Sequence, residues 1–175
     1  MFTLSFTITG DVEILVTVID NGDGALTFDF EIPETNGLIG DITGIAFDLA
    51  DDSIVDGLSA DGEDITKDVY EADGVTKIGG GVNFNGEVVN EFGAFDAGVA
   101  IGDCGLKLMD AQSTTFTLSH PDYDLTLADV AEMDFAVRLQ SVGEEDGSRN
   151  GSLKLAGTAR KSSTRWRPWW RTMTS

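Results

Sequence analysis

Apolar residues recur at every second position over the first stretches of this chain. The alternating residues are Phe2, Leu4, Phe6, Ile8, Val12, Ile14, Val16 and Val18. Successive side chains of a β-strand point to opposite faces, so a period of two places these residues on one face. The pattern predicts two strands, each with one buried face and one face rich in threonine and serine.

A turn follows these two stretches and introduces a third. Asp20-Asn21-Gly22-Asp23-Gly24 is typical of a hairpin, because Asn and Gly tolerate the positive φ of a tight turn. Alternation then resumes at Leu26, Phe28, Phe30, Ile32, Ile45, Phe47, Leu49, Phe95, Ala97, Val99, Ile101, Phe116, Leu118, Phe135, Val137, Leu139, Leu153 and Leu155, with weaker strands near 64–71 and 84–89. Many short strands between Gly, Asp and Asn turns predict an all-β fold, an antiparallel β-sandwich or jelly roll.

One short helix is expected in addition. Thr126 and Asp129 have the spacing of a capping box, and Val130, Ala131 and Met133 follow as its apolar positions. We expect about two turns of helix here, covering one end of the sandwich.

Charge limits the partners of this fold. All 31 acidic residues lie at or before Asp146, and residues 1–159 hold 6 of the 11 lysines and arginines, so this part carries a formal charge of -25. A domain with this charge repels nucleic acid and acidic membranes. The charge instead favours binding of divalent cations or basic partners, or a medium of high salt concentration. The sequence contains no run of 18 apolar residues, so we expect no transmembrane segment. The N-terminal stretch has the alternating pattern of a strand and not the pattern of a signal peptide.

The last residues have the opposite composition. We divide the chain into a sandwich domain, residues 1–157, and a basic tail, residues 158–175, which holds all three tryptophans, five cations and no acid. Three interpretations stay open: a segment foreign to the native protein, a strap that folds back on the acidic body, or a tail that binds a membrane or polyanion.

Residues 113–156 carry a resemblance to a class of known proteins. The order is a strand, an LTLADVA segment, an FAVRLQSVG strand and a Gly-Ser-rich final strand. This order resembles the closing part of extracellular bacterial β-sandwich proteins, those found beside RTX calcium-binding repeats or before C-terminal sorting signals. The resemblance implies a secreted or cell-surface sandwich and no catalytic motif. The RTX nonapeptide itself is absent, because the glycines at 79–81 lack the following aspartate, so its calcium sites are not carried over.

Calcium is nevertheless the expected ligand, on other residues. From Asp41 to Asp73 there are 11 carboxylates and one lysine, interleaved with glycine turns, and oxygen ligands on loops are those that Ca²⁺ uses. The candidate ligands are Asp48, Asp51, Asp52, Asp56, Asp61 and Asp64, with a second cluster of Asp122 and Asp124 beside His120 and a third of Asp20, Asn21 and Asp23. The alternative is that these acids are solvated turns that keep the protein soluble.

Catalysis is the competing hypothesis. A jelly-roll glycoside hydrolase would need two facing carboxylates, for which the candidates are Glu87 with Glu91 or Glu13 with Glu31. Acidic residues are also ordinary on the solvent face of a strand, and the body before the tail has only two tyrosines and no tryptophan on which to stack a sugar. We therefore expect a non-catalytic binding or adhesion module, extracellular or at the cell surface, with calcium as cofactor and a polysaccharide or cell-surface component as partner.

Overall fold

Twelve strands make up most of this computed structural model, which describes residues 2–33, 37–79, 82–84, 92–102 and 111–160. The strands are β1 Phe2–Ile8, β2 Ile14–Asp20, β3 Leu26–Glu31, β4 Leu38–Phe47, β5 Ser59–Asp61, β6 Ile65–Val75, β7 Lys77–Gly79, β8 Val82–Asn83, β9 Phe95–Ile101, β10 Ser113–Ser119, β11 Asp134–Glu144 and β12 Gly151–Thr158. The predicted all-β class is confirmed. Of the weak strand predicted near 84–89, residues 85–89 lie outside the described residues.

Two five-stranded antiparallel sheets pack face to face. Sheet A has the order β1-β2-β3-β10-β5 and sheet B the order β12-β11-β4-β9-β6. Strands β7 and β8 form a separate two-stranded hairpin. The chain therefore crosses between the layers repeatedly, and the architecture is the expected β-sandwich.

Phenylalanine rings fill the space between the two sheets. Phe28 of β3 and Phe116 of β10 stack with ring centroids 5.1 Å apart, and Phe47 of β4 and Phe135 of β11 stack at 5.6 Å. Phe28 also stacks across the interface on Phe47 at 5.3 Å. These residues are apolar positions of the alternating pattern, and they are buried. The pattern in the sequence therefore identifies which side chains face the core between the sheets.

The predicted hairpin is present between β2 and β3. Asp20 pairs with Leu26, and the intervening Gly22 and Gly24 have φ of 79° and 89°. The side chains of Asp20 and Asp23 accept hydrogen bonds from Gly22 N and Ala25 N within the same turn. Their carboxylates therefore stabilise the turn that the sequence predicted.

The expected helix is shorter than predicted. Asp129 Oδ2 accepts a hydrogen bond from Thr126 N at 2.8 Å, as a capping box requires, but only a 3-10 turn forms, over Leu127–Asp129. The chain leaves the helical direction at Glu132, which has a φ of 63° and donates its amide to Ala159 O. A second 3-10 turn, Asp52–Ile54, lies between β4 and β5.

The outer face of sheet B is covered by the β7–β8 hairpin. Gly44 and Gly98 stand under this hairpin, and a Cβ at Gly44 would collide with Val82 while one at Gly98 would lie 3.0 Å from Ile78. Small residues therefore let a second apolar cluster form outside the sandwich, with Phe84 and Phe95 in edge-to-face contact.

The outer face of sheet A is open to solvent and rich in hydroxyl groups. Its side chains are Thr3, Ser5, Thr7, Leu15, Thr17, Ile19, Thr27, Asp29, Glu31, Ser59, Asp61, Ser113, Thr115, Thr117 and Ser119. We call this surface the hydroxyl face. It contains three carboxylates and no lysine or arginine.

The contacts of the sandwich continue slightly past the predicted domain boundary at residue 157. Ala159 is buried and its amide donates to Met133 O, and Arg160 lies 3.4 Å from Glu132. Residues 161–175 lie outside the described residues. Within the described part of the chain, the structure has no helix that is long and apolar enough to span a membrane.

Candidate metal centre

Three aspartates converge at one end of the outer face of sheet B. Asp48 follows β4, Asp96 lies in β9 and Asp73 lies in β6, which are three adjacent strands. One carboxylate oxygen from each lies within 4.8 Å of the others. Residues far apart in the sequence thus meet at a single point.

The strand register brings Asp48 and Asp96 together. Phe47 of β4 pairs with Ala97 of β9 in antiparallel register, and both side chains point into the core. The next position on β4 and the preceding position on β9 are Asp48 and Asp96, which therefore share the outer face.

A β-bulge adds Asp73 to this pair. Tyr70 pairs with Ala97 and Val75 with Phe95, so residues 71–74 all lie opposite the single position of Asp96. Asp73 has a φ of 52°, in the left-handed region that non-glycine residues seldom adopt. Bulges redirect side chains in this way, and here the bulge directs a carboxylate towards the other two.

Asp96 holds the other two segments in place. It is 1% exposed, its Oδ2 accepts a hydrogen bond from Leu49 N and its Oδ1 accepts one from Asp73 N, both at 2.8 Å. Each carboxylate oxygen has two lone pairs, so both oxygens keep capacity for a further interaction. Asp96 is therefore both a positioning group for its neighbours and a candidate ligand.

Asp48 has a buried oxygen without a partner. No group in the described structure makes a hydrogen bond to its Oδ1, although that atom is shielded from solvent. Burial, followed by the negative charges of Asp96, Asp134 and Asp73, raises the pKa of Asp48 to about 7, against a lowering by the Asp96 backbone amide. The site therefore holds a carboxylate whose negative charge is disfavoured by its surroundings.

Asp52 lies on the exposed side of this cluster, close to Asp96 and Asp73. It begins the 3-10 turn Asp52–Ile54 and is exposed, and the charges of Asp96 and then Asp73 raise its pKa. None of the carboxylates in this group forms an ion pair with a lysine or arginine of the described residues. The local negative charge is thus uncompensated by described protein groups.

The donor set suits a hard divalent cation. Two oxygens that each lie about 2.4 Å from one ion can be at most about 4.8 Å apart, which is the separation limit met here. Three aspartates offer up to six oxygens, and Ca²⁺ takes about six to eight, with waters completing the shell. Carboxylates without Cys or His favour calcium or magnesium over zinc.

The structure places the other predicted calcium ligands elsewhere. Asp51 caps the 3-10 turn, its Oδ1 accepting from Ser53 N at 2.9 Å and Ser53 Oγ at 2.6 Å. Asp64 accepts from Thr114 Oγ1 at 3.0 Å and lines, with Asp61, a surface cleft of about 400 Å³ against β10. Of the first predicted cluster, only Asp48 is one of the three converging aspartates, and Asp52 lies close to Asp96 and Asp73.

His120 organises the second predicted cluster through backbone groups. Its Nδ1 accepts from Asp122 N at 3.0 Å, and its Nε2 lies 2.9 Å from Asp56 O, to which it donates in the neutral tautomer with the proton on Nε2. The imidazole thereby links two loops. Asp124 lies against Gly24 of the β2–β3 turn, and the side chains of Asp56, Asp122 and Asp124 are exposed.

The described structure gives the strand position of one of the two predicted catalytic pairs, Glu13 and Glu31. Glu31 pairs with Leu15, and Glu13 lies before the first residue of β2, so the two are not cross-strand partners. Glu87 and Glu91 lie outside the described residues.

Sequence reasoning missed Asp73 and Asp96 as candidate ligands. Asp96 occupies an outward position of an alternating strand whose other outward positions are Gly98 and Ala100. A carboxylate on a face of otherwise small residues was the signal in the sequence that could have identified it. Asp73 had no such signal, because its position depends on a bulge that the period does not reveal.

Comparison with known proteins found no match for this chain: no protein-family model, no curated protein and no solved structure.

Proposed function

We propose that this protein is a non-catalytic, extracellular binding module that holds a calcium ion between Asp48, Asp73 and Asp96. The observation that carries the proposal is the buried, unpartnered Oδ1 of Asp48 within a group of three converging carboxylates. A cation at this point would supply the missing partner of that oxygen and offset the repulsion among the three charges.

The ion would also tie together three segments of the chain. Asp48 precedes the loop with the 3-10 turn, Asp73 lies in the β6 bulge and Asp96 lies in the middle strand of the three. Binding to the folded state alone stabilises that state, so calcium would act as a structural ion for one end of sheet B.

An extracellular setting accords with this role. Extracellular calcium modules bind with dissociation constants up to about 10⁻³ M, which suits a small site with few ligands. The acidic body and the sequence resemblance over residues 113–156 support the same location. Asp73 and Asp52 are exposed, so coordination positions on that side are open to water or to hydroxyl groups of a polysaccharide or cell-surface partner.

The enzyme hypothesis has no specific observation in its favour. Converging carboxylates around one point favour an ion site, whereas a glycoside hydrolase needs two carboxyl groups about 5 to 9 Å apart on either side of a substrate. Glu13 and Glu31 are not cross-strand partners, and Glu87 and Glu91 lie outside the described residues.

Thermal unfolding in calcium and in chelator tests the proposal. With a dissociation constant of about 10⁻⁴ M, a free Ca²⁺ concentration of about 10 mM is roughly 100-fold higher, stabilises the folded state by roughly 2.7 kcal/mol and raises the melting temperature by several degrees. We expect Asp73→Asn to abolish this gain, because it removes one anionic ligand while Asn tolerates the left-handed backbone of this position.

Asp56→Asn is the matched control, since it makes the same chemical change at an exposed side chain outside the cluster. It should keep the full calcium response. An equal melting temperature of the parent protein in calcium and chelator at constant ionic strength would refute the proposal, as would an equal loss of response in both variants.

A further inference from the structure

The described chain ends at one corner of the hydroxyl face. Arg160 lines a shallow surface cavity of about 350 Å³ together with Ser5 and Thr7 of β1 and Leu15 of β2. The three side chains from β1 and β2 all belong to the hydroxyl face. The chain therefore leaves the sandwich next to this open surface, independently of the cation site on sheet B.

The charge of the hydroxyl face is complementary to the residues that follow. The face contains Asp29, Glu31 and Asp61 and no cation, whereas residues 161–175 contain four cations and no acid. The face also belongs to a body with a large excess of negative charge. Arginine side chains at this surface would gain charge-assisted, bidentate hydrogen bonds to its carboxylates.

The same corner offers an apolar contact. Leu15 is 36% exposed, which makes it one of only three exposed large hydrophobic side chains among the described residues. It pairs with Glu31, so an apolar and an acidic group stand next to each other. Residues 161–175 likewise place an apolar group next to charged groups, because Trp166 lies between Arg165 and Arg167.

The length of this segment is sufficient to cross the sheet. Fifteen extended residues reach about 50 Å, while five strands spaced about 4.8 Å apart are about 19 Å wide. A segment that starts beside β1 can therefore contact every strand of sheet A, including Asp29 and Glu31 on β3.

We propose that residues 161–175 dock on the hydroxyl face of their own chain, with a tryptophan on Leu15 and arginines on Asp29 and Glu31. The segment acts as an intramolecular strap. It reduces the repulsion among the acids of sheet A and shields the exposed side chain of Leu15.

Tryptophan fluorescence of the full-length protein tests this docking. Every tryptophan of the chain lies at 166, 169 or 170, so the emission reports this segment alone. We expect blue-shifted emission with reduced acrylamide quenching in the parent protein. The double variant Asp29→Lys with Glu31→Lys should shift the emission towards that of tryptophan in water, because it replaces attraction with repulsion.

The control variant makes the same charge change outside the face. Glu145→Lys with Asp146→Lys alters two exposed acids in the turn between β11 and β12, and its emission should match that of the parent. A second test variant, Leu15→Ser, keeps all charges and should increase quenching through loss of the apolar contact. Circular dichroism confirms that each variant is folded before its emission is read.

Three results would overturn the inference. One is water-like, fully quenched emission in the parent protein, and another is an identical response to the test and control double variants. The third is emission that shifts to the blue only on concentration or on addition of anionic lipid vesicles, which would assign the segment to a second copy or to a membrane instead.

Discussion

At the residue scale, Asp48 is the point at which this structure departs from ordinary packing. One carboxylate oxygen of Asp48 is buried without a hydrogen bond, and one oxygen of this carboxylate lies within 4.8 Å of an oxygen of each of two further aspartates. An unpartnered buried polar group costs about 1–3 kcal/mol, and a charged one more. Groups of this kind persist where they serve a ligand, which is why the residue marks the candidate site better than the density of acids in the sequence does.

Asp48→Asn should stabilise the protein in chelator and weaken its dependence on pH. The folded-state pKa of about 7 lies above the ordinary value of 3.8, so the contribution of this group to stability is lost as pH rises from about 4 through 7. Asn cannot ionise and can donate a hydrogen bond to Asp96 or Asp73. Urea unfolding at pH 5 and pH 8 in chelator measures the effect.

The same substitution should remove the stabilisation by calcium, so that one change raises the stability of the ion-free protein and abolishes the response to the ion. Asp56→Asn again provides the control. A parent and Asp48→Asn variant with the same change of stability between the two pH values would contradict the assignment of Asp48 as the perturbed group.

At the scale of elements, the alternating period predicted the strands that have one buried face. Apart from the exposed Phe2 and the end of β2, β1, β2 and β3 alternate between buried positions and exposed or half-buried ones. Their sequence therefore reveals both the strand and its inner side. β4 is buried at nearly every position because the β7–β8 hairpin covers its outer face, and its first half shows no alternation. The sequence around Asp129 predicted a cap correctly, whereas the length of the helix depended on the tertiary contact of Glu132 with Ala159.

The covered face of sheet B gives a prediction for Gly44. Gly44→Ala should destabilise the protein by about 1–3 kcal/mol, because the new methyl group would collide with Val82 and lie 3.2 Å from Phe84, forcing the hairpin away from the sheet. Gly157→Ala is the control, since its Cβ would lie 3.5 Å from Ile8, an ordinary contact, and it should cause no loss. Equal stability of Gly44→Ala and the parent in urea unfolding would show that the hairpin does not press on this strand.

At the scale of the whole molecule, the charge distribution sets the solution behaviour. The chain has 31 acidic residues and a formal charge of -20, and five of its 11 cations lie in the last 16 residues. Composition predicts an acidic body, but it could not identify the three aspartates that converge, because their meeting depends on strand order and on one bulge. Of the ten aspartates that the sequence put forward, Asp48 is one of the three that converge and Asp52 lies beside them. The rest are distributed among caps, clefts and exposed turns.

Simple salt should stabilise this protein, since repulsion among exposed acids outweighs the attraction of the few cations. Raising sodium chloride from low ionic strength to about 0.15 M shortens the screening length from about 30 Å to about 8 Å, so we expect a higher melting temperature in chelator at the higher salt. The triple variant Glu144→Gln, Glu145→Gln and Asp146→Asn should show a smaller gain, because it removes three exposed charges at and beyond the end of β11 that lies away from the candidate metal centre. The calcium response should add to the salt effect in both proteins, since an ion held between Asp48, Asp73 and Asp96 acts through coordination rather than screening. A melting temperature that falls with salt would mean that attractions between the basic segment and the body dominate the stability of the whole chain.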